Sequence, residues 1–161
     1  MSKIQVAILM GSKSDVLVME ETLKTLQEFG VSAEMKVLSA HRTPKETLEY
    51  VEKFHAQGGQ VFICEAGVAA ALAGFVASHT TLPVIRVPID TPPLNGLDSL
   101  LSTVQMPPGV PVATVAIGKA GAKNAALLAL RILGVSDKTI VKKLENYREE
   151  QKQKILNTKL N

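Results

Sequence analysis

Short apolar runs alternate along this chain with longer segments in which apolar residues recur at every third or fourth position. The runs are typical of strands that are buried on both faces, and the longer segments are typical of helices. Each predicted strand is followed by a predicted helix. The strands are expected at Ile4 to Met10, Ala33 to Leu38, Gln60 to Glu65, Pro83 to Pro88 and Val112 to Ile117.

Capping and turn residues mark the ends of the predicted helices. Asp15 is expected to cap a first helix that stops at Gly30. Pro44 suits the first turn of a second helix, which stops at Gly58. Further helices are predicted in the small-residue segment GVAAALAGFVASH, around Leu97 to Val104, from about Lys123 to Leu133, and from Ser136 to about Leu156.

Regular alternation of strands and helices predicts a mainly parallel sheet with helices on both faces. We therefore expect a flavodoxin-like three-layer αβα doubly wound sheet with an extra C-terminal helix. Residues 1–161 are interpreted as one domain, with an α/β core at 1–135 and the C-terminal helix at 136–157. The apolar stripe of that helix can lie on its own domain or on a neighbouring subunit.

Composition narrows the classes of protein that fit this pattern. No apolar run approaches the length of a membrane span, and the first residues do not resemble a signal peptide, so we expect a cytoplasmic protein without membrane contact. The segment from Lys138 to Asn161 has seven basic and three acidic residues, which more than accounts for the net charge of +3. With no Trp and only two Tyr, nucleic-acid binding is not expected. The single Cys64 is interpreted as a buried structural thiol.

Ligands of open α/β sheets bind beyond the carboxyl ends of the strands, and this rule selects four loops. In the first, GSKSD, free backbone N–H groups at a helix N-terminus favour a phosphate. Ser12, Ser14 and Asp15 would serve equally well as turn and capping residues, so both interpretations stay open. A carboxylate such as that of Asp15 is better suited to accept hydrogen bonds from sugar hydroxyls. The other loops are SAHRTP, EAGVAAALAG and DTPPLNGLDS.

The second loop, SAHRTP, places a histidine beside an arginine. The planar guanidinium of Arg42 matches phosphate or carboxylate, and histidine is the side chain best suited to proton transfer near neutral pH. His41 and Arg42 could equally be a solvent-facing pair at a strand end. No metal-ligand spacing, P-loop or G-x-G-x-x-G is present, and the loops are poor in aromatic residues that would hold a flavin. A phosphorylated small molecule and acid-base chemistry without metal or cofactor are therefore predicted.

At these loops the chain resembles the PurE family, which makes 4-carboxy-5-aminoimidazole ribonucleotide (CAIR) in de novo purine synthesis. The shared segments are MGSKSD, SAHRTP, LPVI and LNGLDSLLSTVQMPPGVPVATVAIGKAGAKNAALLALRIL. The resemblance extends from Val6 to about Arg148. It implies a flavodoxin-like subunit in a homo-octamer with no cofactor, acting on a ribonucleotide and CO2.

The resemblance also implies roles for individual residues. Ser12, Asp15 and Arg42 would bind the ribonucleotide, and His41 would act as general acid and base. Small residues would line a closed pocket that retains CO2. The remaining expected substrate-binding residues are Ser14, Ser39, Ala66, Gly67, Ala69, Ala70 and Leu72.

One segment departs from the family pattern. The mutase sequence GAGGAAHLPGM is EAGVAAALAGF here, so Ala71 stands where the pattern has a histidine. Arg86 stands where the pattern usually has glycine, and Glu65 and Arg86 could form a compensating pair. The expected activity is conversion of N5-carboxyaminoimidazole ribonucleotide (N5-CAIR) to CAIR. The alternatives are direct carboxylation of aminoimidazole ribonucleotide (AIR) by CO2, and a non-catalytic nucleotide-binding module.

Overall fold

A computed structural model describes residues 3–69 and 71–159. These residues form two compact units, one that extends to Ala129 and one that begins at Leu130. The first unit contains a five-stranded sheet. Its strands are Val6–Met10 (β1), Ala33–Val37 (β2), Val61–Ala66 (β3), Val84–Pro88 (β4) and Ala113–Thr114 (β5).

All of the neighbouring strands are parallel, and their order is β2-β1-β3-β4-β5. This order is the flavodoxin-like one, in which the direction of strand addition reverses beside the first strand. The predicted fold class is confirmed. Because parallel strands point the same way, the loops after β1, β2 and β3 all leave the sheet at one edge.

The helices of the described residues follow the strands in turn. The predicted third helix was too long, because Gly67, Val68, Ala69 and Ala71 lie before the helix, which begins at Leu72. The bounds are Val16–Glu28 (α1), Pro44–Ala56 (α2), Leu72–Ser78 (α3), Leu97–Val104 (α4), Gly118–Gly134 (α5) and Lys138–Leu156 (α6).

The last strand is shorter than its apolar sequence predicted. Strand β5 has two residues instead of the expected Val112 to Ile117, and α5 begins at Gly118 rather than near Lys123. At Gly121, a Cβ atom would lie 1.6 Å from the carbonyl oxygen of Ala116. The glycine therefore allows the helix to start against the chain that has just left the sheet.

The sheet has an apolar core on the face that α2 and α3 cover. Ala7, Leu9, Phe62 and Cys64 are fully buried there with Phe54 of α2. Burial raises the pKa of the Cys64 thiol to about 12, so this cysteine stays a neutral core residue, as expected. On the opposite face α1 contacts β1 and β2, and the Thr22 hydroxyl donates to the Ala122 carbonyl oxygen of α5 at 2.8 Å.

The second unit contains the end of α5 and all of α6. Helix α6 begins at Lys138, two residues later than predicted, and Asp137 caps it by accepting a hydrogen bond from the Thr139 backbone N–H at 2.8 Å. Ile140 is buried, whereas Ile155 is 75% exposed. Across the described parts of the chain, we find no helix whose length and apolarity would suffice to cross a membrane.

Candidate active site

A cavity of about 490 Å³ lies at the carboxyl ends of β1, β2 and β3. This volume is in the range of pockets that hold small-molecule ligands. Its position beside the reversal of strand order is where ligands of doubly wound sheets bind. The cavity is lined by Gly11, Ser12, Ser14, Asp15, Ser39, Ala40, His41, Arg42, Ala66, Gly67, Val68, Ala69, Ala71, Leu72 and Thr91.

The loop after β1 supplies hydroxyls and one carboxylate to the cavity. Ser12 caps a short 3-10 turn by accepting from the Ser14 backbone N–H at 3.3 Å. Asp15 occupies the N-cap position of α1 but makes no capping hydrogen bond with its side chain. Its Oδ1 instead accepts a hydrogen bond from the Ser14 hydroxyl at 3.0 Å. The predicted capping role of the Asp15 side chain was therefore wrong, and the carboxylate is available to the cavity.

The loop after β2 is held against the first loop by an arginine. Nη2 of Arg42 donates to the Gly11 carbonyl oxygen at 2.6 Å, and Nε approaches the Ser39 hydroxyl at 3.4 Å. The backbone N–H of Ser39 in turn donates to the Thr43 hydroxyl at 2.9 Å. A guanidinium has five N–H donors, so these bonds leave others for an anion. His41 lies on the same loop, exposed at the cavity wall.

The loop after β3 forms an apolar wall of small residues. A Cβ atom at Gly67 would lie 2.8 Å from Oγ1 of Thr91, so the glycine allows this loop to approach the loop after β4 closely. Val68 adopts a φ of 56°, which is unusual for a β-branched residue. Ala71 lines the cavity where the family pattern has a histidine. The expected site residue Ala70 lies outside the described residues.

The structure brings together all of the other expected catalytic and substrate-binding residues. Ser12, Ser14, Asp15, Ser39, His41, Arg42, Ala66, Gly67, Ala69 and Leu72 all line the one cavity. Five further lining residues were not among the expected site residues, although their loops were selected: Gly11, Ala40, Val68, Ala71 and Thr91. His55 and His79 lie elsewhere: Nδ1 of His79 is 2.7 Å from the Phe75 carbonyl oxygen near the end of α3.

Two ionisable residues lie beneath the cavity, and both are fully buried. Nη2 of Arg86 donates to the Ala66 carbonyl oxygen and, at 2.7 Å, to the Ser99 hydroxyl. The hydroxyl of Ser99 also donates to the Ala66 carbonyl oxygen, at 2.8 Å. Neither carboxyl oxygen of Glu65 has a hydrogen-bond partner of good geometry, and the same holds for Nε and Nη1 of Arg86.

The predicted pairing of Glu65 with Arg86 is not seen as a direct ion pair. Arg86 is level with Cys64 in the sheet, and Glu65 is level with Val87. Because side chains alternate along a strand, the two residues start from opposite faces of the sheet. Burial raises the pKa of Glu65 to about 9, helped by the nearby charge of Asp15 and opposed by that of Arg86. Glu65 is therefore a neutral carboxylic acid at neutral pH.

No group of three or more His, Cys, Asp or Glu side chains suited to hold a metal ion occurs within residues 3–69 and 71–159. The cavity instead offers hydroxyls, backbone N–H groups, one guanidinium, one carboxylate and one imidazole. This set can hold a phosphorylated sugar and move a proton.

Comparisons with known proteins agree with this geometry. The sequence profile described as AIRC: AIR carboxylase matches residues 5–154. The chain is 53% identical to a protein of Saccharolobus solfataricus named N5-carboxyaminoimidazole ribonucleotide mutase, over 97% of this chain and 98% of that one. It is also 53% identical to the mutase of the same name from Bacillus subtilis, over 94% of this chain and 93% of the relative. The solved structure of Treponema denticola PurE superposes with a TM-score of 0.87 at 34% identity, and 94% of each chain is covered.

Proposed function

The chain belongs to the AIR carboxylase family, and we propose that His41 carries the proton in the reaction that it catalyses. The enzyme converts N5-CAIR to CAIR, an isomerisation in purine biosynthesis, as its relatives named N5-CAIR mutase indicate. The observation that carries the proposal for His41 is the shared cavity, where this imidazole lies beside Arg42 and opposite a wall of small residues.

The chemistry requires one group that both gives and takes a proton. The bond between the exocyclic nitrogen and the carboxyl group breaks, CO2 is released, and the nitrogen gains a proton. Ring carbon C4 then attacks CO2 and loses its own proton. A protonated imidazole can supply the first proton, and the neutral imidazole that results can remove the second. Atoms and charges balance over the cycle, and His41 returns to its starting state.

The ribonucleotide is held by the loops after β1 and β2 in this proposal. The guanidinium of Arg42 and the hydroxyls of Ser12 and Ser39 bind its phosphate, and the Asp15 carboxylate accepts hydrogen bonds from its sugar hydroxyls. Arg42 is already oriented by its hydrogen bond to Gly11. A preoriented guanidinium loses less rotational freedom when the anion binds.

CO2 is held, in the same proposal, by the loop after β3. Ala66, Gly67 and Ala69 present a wall without donors or acceptors on their side chains. Such a wall lets CO2 stay beside C4 and keeps water from the reacting atoms. Ala71 offers no second imidazole on this wall, so a single histidine performs both proton transfers.

The assembly is proposed to be a homo-oligomer, and we propose the octamer that the family resemblance implies. Four apolar side chains of α4 and the loop before it are more than half exposed in the single chain, namely Leu94, Leu97, Leu101 and Val104. Apolar groups that lie together in this way are typical of a protein interface. We also propose a cytoplasmic location, which suits an enzyme whose substrate is a charged nucleotide. Light scattering on the purified protein tests the octamer.

A two-substrate assay tests the function. The purified enzyme is supplied either with N5-CAIR or with AIR and CO2, and CAIR formation is followed. We expect turnover of N5-CAIR at catalytic enzyme concentrations, and loss of that turnover in His41→Asn. Faster turnover of AIR with CO2 would instead favour the direct carboxylase. The segment AGVAAALAGF resembles in part the sequence pattern of enzymes with that activity. Binding of the nucleotide without any product would show a non-catalytic module.

A further inference from the structure

Glu65 lies directly beneath the wall of the cavity without being part of it. It is the penultimate residue of β3, level with Met10 of β1, and its carbonyl oxygen accepts a hydrogen bond from the Gly11 backbone N–H at 3.3 Å. The next residue, Ala66, lines the cavity, whereas the side chain of Glu65 has no exposed surface. The carboxyl group is thus sealed behind the first and third loops.

A carboxyl group in this position cannot remain charged without a partner. Both of its oxygens lack a hydrogen-bond donor in the structure, and no ion pair within 4.0 Å joins Glu65 to any cation of the described residues. Burying an unpaired carboxylate is costly enough that such groups usually take up a proton. Glu65 then has an O–H group that needs an acceptor.

The carboxylate of Asp15, which lines the cavity, is an acceptor that matters for the site. Asp15 is partly exposed at the cavity wall, and its charge acts on Glu65 more strongly than any other charge does. The Glu65 side chain lies on the face of the sheet opposite that of Cys64, which is the face that α1 covers, and Asp15 is the N-cap residue of α1. Two neighbouring carboxyl groups favour a state in which one of them carries a proton.

We propose that Glu65 is a positioning residue, a neutral carboxylic acid that donates its O–H to the Asp15 carboxylate and fixes that carboxylate against the sugar of the substrate. This inference rests on the proposed function, because it assumes that Asp15 binds the sugar of the substrate. The buried donor is a feature of this chain, since the family pattern has glycine at this position.

The charges around Glu65 agree with this assignment. Burial and the charge of Asp15 raise the pKa of Glu65 to about 9, and the Arg86 guanidinium opposes that rise. Cys64, the other titratable neighbour, is a neutral thiol because burial raises its pKa to about 12. Above about pH 9, Glu65 therefore ionises, loses its donor and repels Asp15. Sugar binding weakens in that range.

Kinetics of two variants test the positioning role. Glu65→Gln keeps a neutral donor of the same shape, whereas Glu65→Ala removes it. We expect Glu65→Ala to raise KM for N5-CAIR by about tenfold with little change in kcat, and Glu65→Gln to keep KM within about threefold of wild type. The wild-type KM should rise above about pH 9, and the KM of Glu65→Gln should not. Equal damage in both variants, or none in Glu65→Ala, overturns the proposal.

Infrared spectroscopy gives a readout that does not depend on turnover or on Glu65→Ala folding. The wild-type spectrum at neutral pH should contain the C=O band of a protonated carboxyl group, which Glu65→Gln lacks. Asp15→Asn should shift that band, because its hydrogen-bond acceptor changes from a carboxylate to an amide. The exposed Glu28→Gln at the far end of α1 is the matched control. A missing band, or a band that Asp15→Asn leaves unmoved, overturns the proposal even if the enzyme is active. If the band behaves as expected but CAIR is not formed, the proposed function fails instead.

Discussion

The wall of the cavity and the buried layer beneath it, formed by Glu65 and Arg86, stabilise their polar side chains in opposite ways. On the wall, His41 and Arg42 are exposed, and Arg42 is fixed by hydrogen bonds to Gly11 and Ser39. Beneath it, Glu65 and Arg86 are fully buried and leave several polar atoms without partners. Exposed groups can keep their charge because water solvates them. The buried carboxyl can persist only by giving up its charge.

This difference teaches where protonation matters in the molecule. On the wall, we propose that His41 moves a proton during the reaction, and a group with that role must reach the substrate. Beneath the wall, a proton must stay in place, because it keeps a buried carboxyl group neutral and supplies a donor. We therefore expect changes on the wall to affect rate and binding, and changes beneath it to alter the dependence on pH.

The largest expected effect comes from the histidine of the wall. His41→Asn removes the proposed proton carrier but keeps a polar side chain of similar size, so kcat should fall by about 10² to 10⁴. Affinity for the nucleotide should change little, because Arg42 and Asp15 remain. Steady-state kinetics and calorimetric titration with AIR measure the two effects. A loss of kcat below about tenfold would show that another group moves the proton.

A smaller effect is expected from the arginine of the wall. Arg42→Met removes the hydrogen bonds that we propose Arg42 makes to the substrate phosphate, which should raise KM for N5-CAIR by about 10- to 100-fold. Arg42→Lys keeps the charge but not the fork that bonds Gly11 and Ser39, so its KM should fall between those of wild type and Arg42→Met. If the two variants behave alike, the geometry of the guanidinium has no part in binding.

The next expected effect is a pH dependence of folding stability, which arises from Glu65 in the buried layer and not from the wall. The folded-state pKa of Glu65, about 9, lies above its ordinary value of 4.5. Between about pH 4.5 and pH 9, Glu65 of the folded protein therefore keeps a proton that Glu65 of the unfolded chain has lost. The stabilisation that this proton gives is complete below about pH 4.5 and is lost as the pH rises towards 9.

Urea unfolding of wild type and Glu65→Gln at several pH values measures this linkage. Relative to the variant, the wild-type free energy of unfolding should fall by up to about 1.4 kcal/mol for each pH unit inside the window. Protein concentration is kept equal, since assembly also contributes to stability. Parallel curves for the two proteins, with Glu28→Gln as the exposed control, would show that Glu65 is ionised throughout.

The fold was predictable because its signal is repeated along the chain. Apolar runs such as IQVAILM and helical segments with capping residues agree at every unit, and only their ends shifted. The segment after β3 misled the prediction, since GVAAALAGFVASH has a uniform helical composition. Its first three residues and Ala71 lie outside the helix, which begins at Leu72. Val68 adopts a positive φ there, a backbone conformation that a β-branched residue does not predict.

The site was predictable only as far as it follows strand ends and family motifs. Ser12, His41 and Arg42 stand in such motifs, and they line the cavity. Thr91 lines the cavity because two loops approach each other closely at Gly67. This contact joins distant parts of the chain, so no local sequence pattern predicts it. The relation of Glu65 to Arg86 depends on strand register. Their opposite charges suggested a pair, but register assigns them to opposite faces.

The smallest expected effect concerns Arg86, whose charge in the buried layer acts through Glu65 on substrate binding at the wall. Arg86→Met removes a buried cation whose Nε and Nη1 have no partners, while the Ala66 carbonyl oxygen still accepts from Ser99 at 2.8 Å. The lost hydrogen bonds are offset by the desolvation cost that disappears, so the free energy of unfolding should change by no more than about 1 kcal/mol. The positive charge of Arg86 also lowers the pKa of Glu65, so its removal should move the alkaline rise of KM to higher pH. KM measured against pH, with the exposed Arg131→Met as control, tests this direction, and a shift to lower pH would mean that Arg86 does not act on the proton of Glu65.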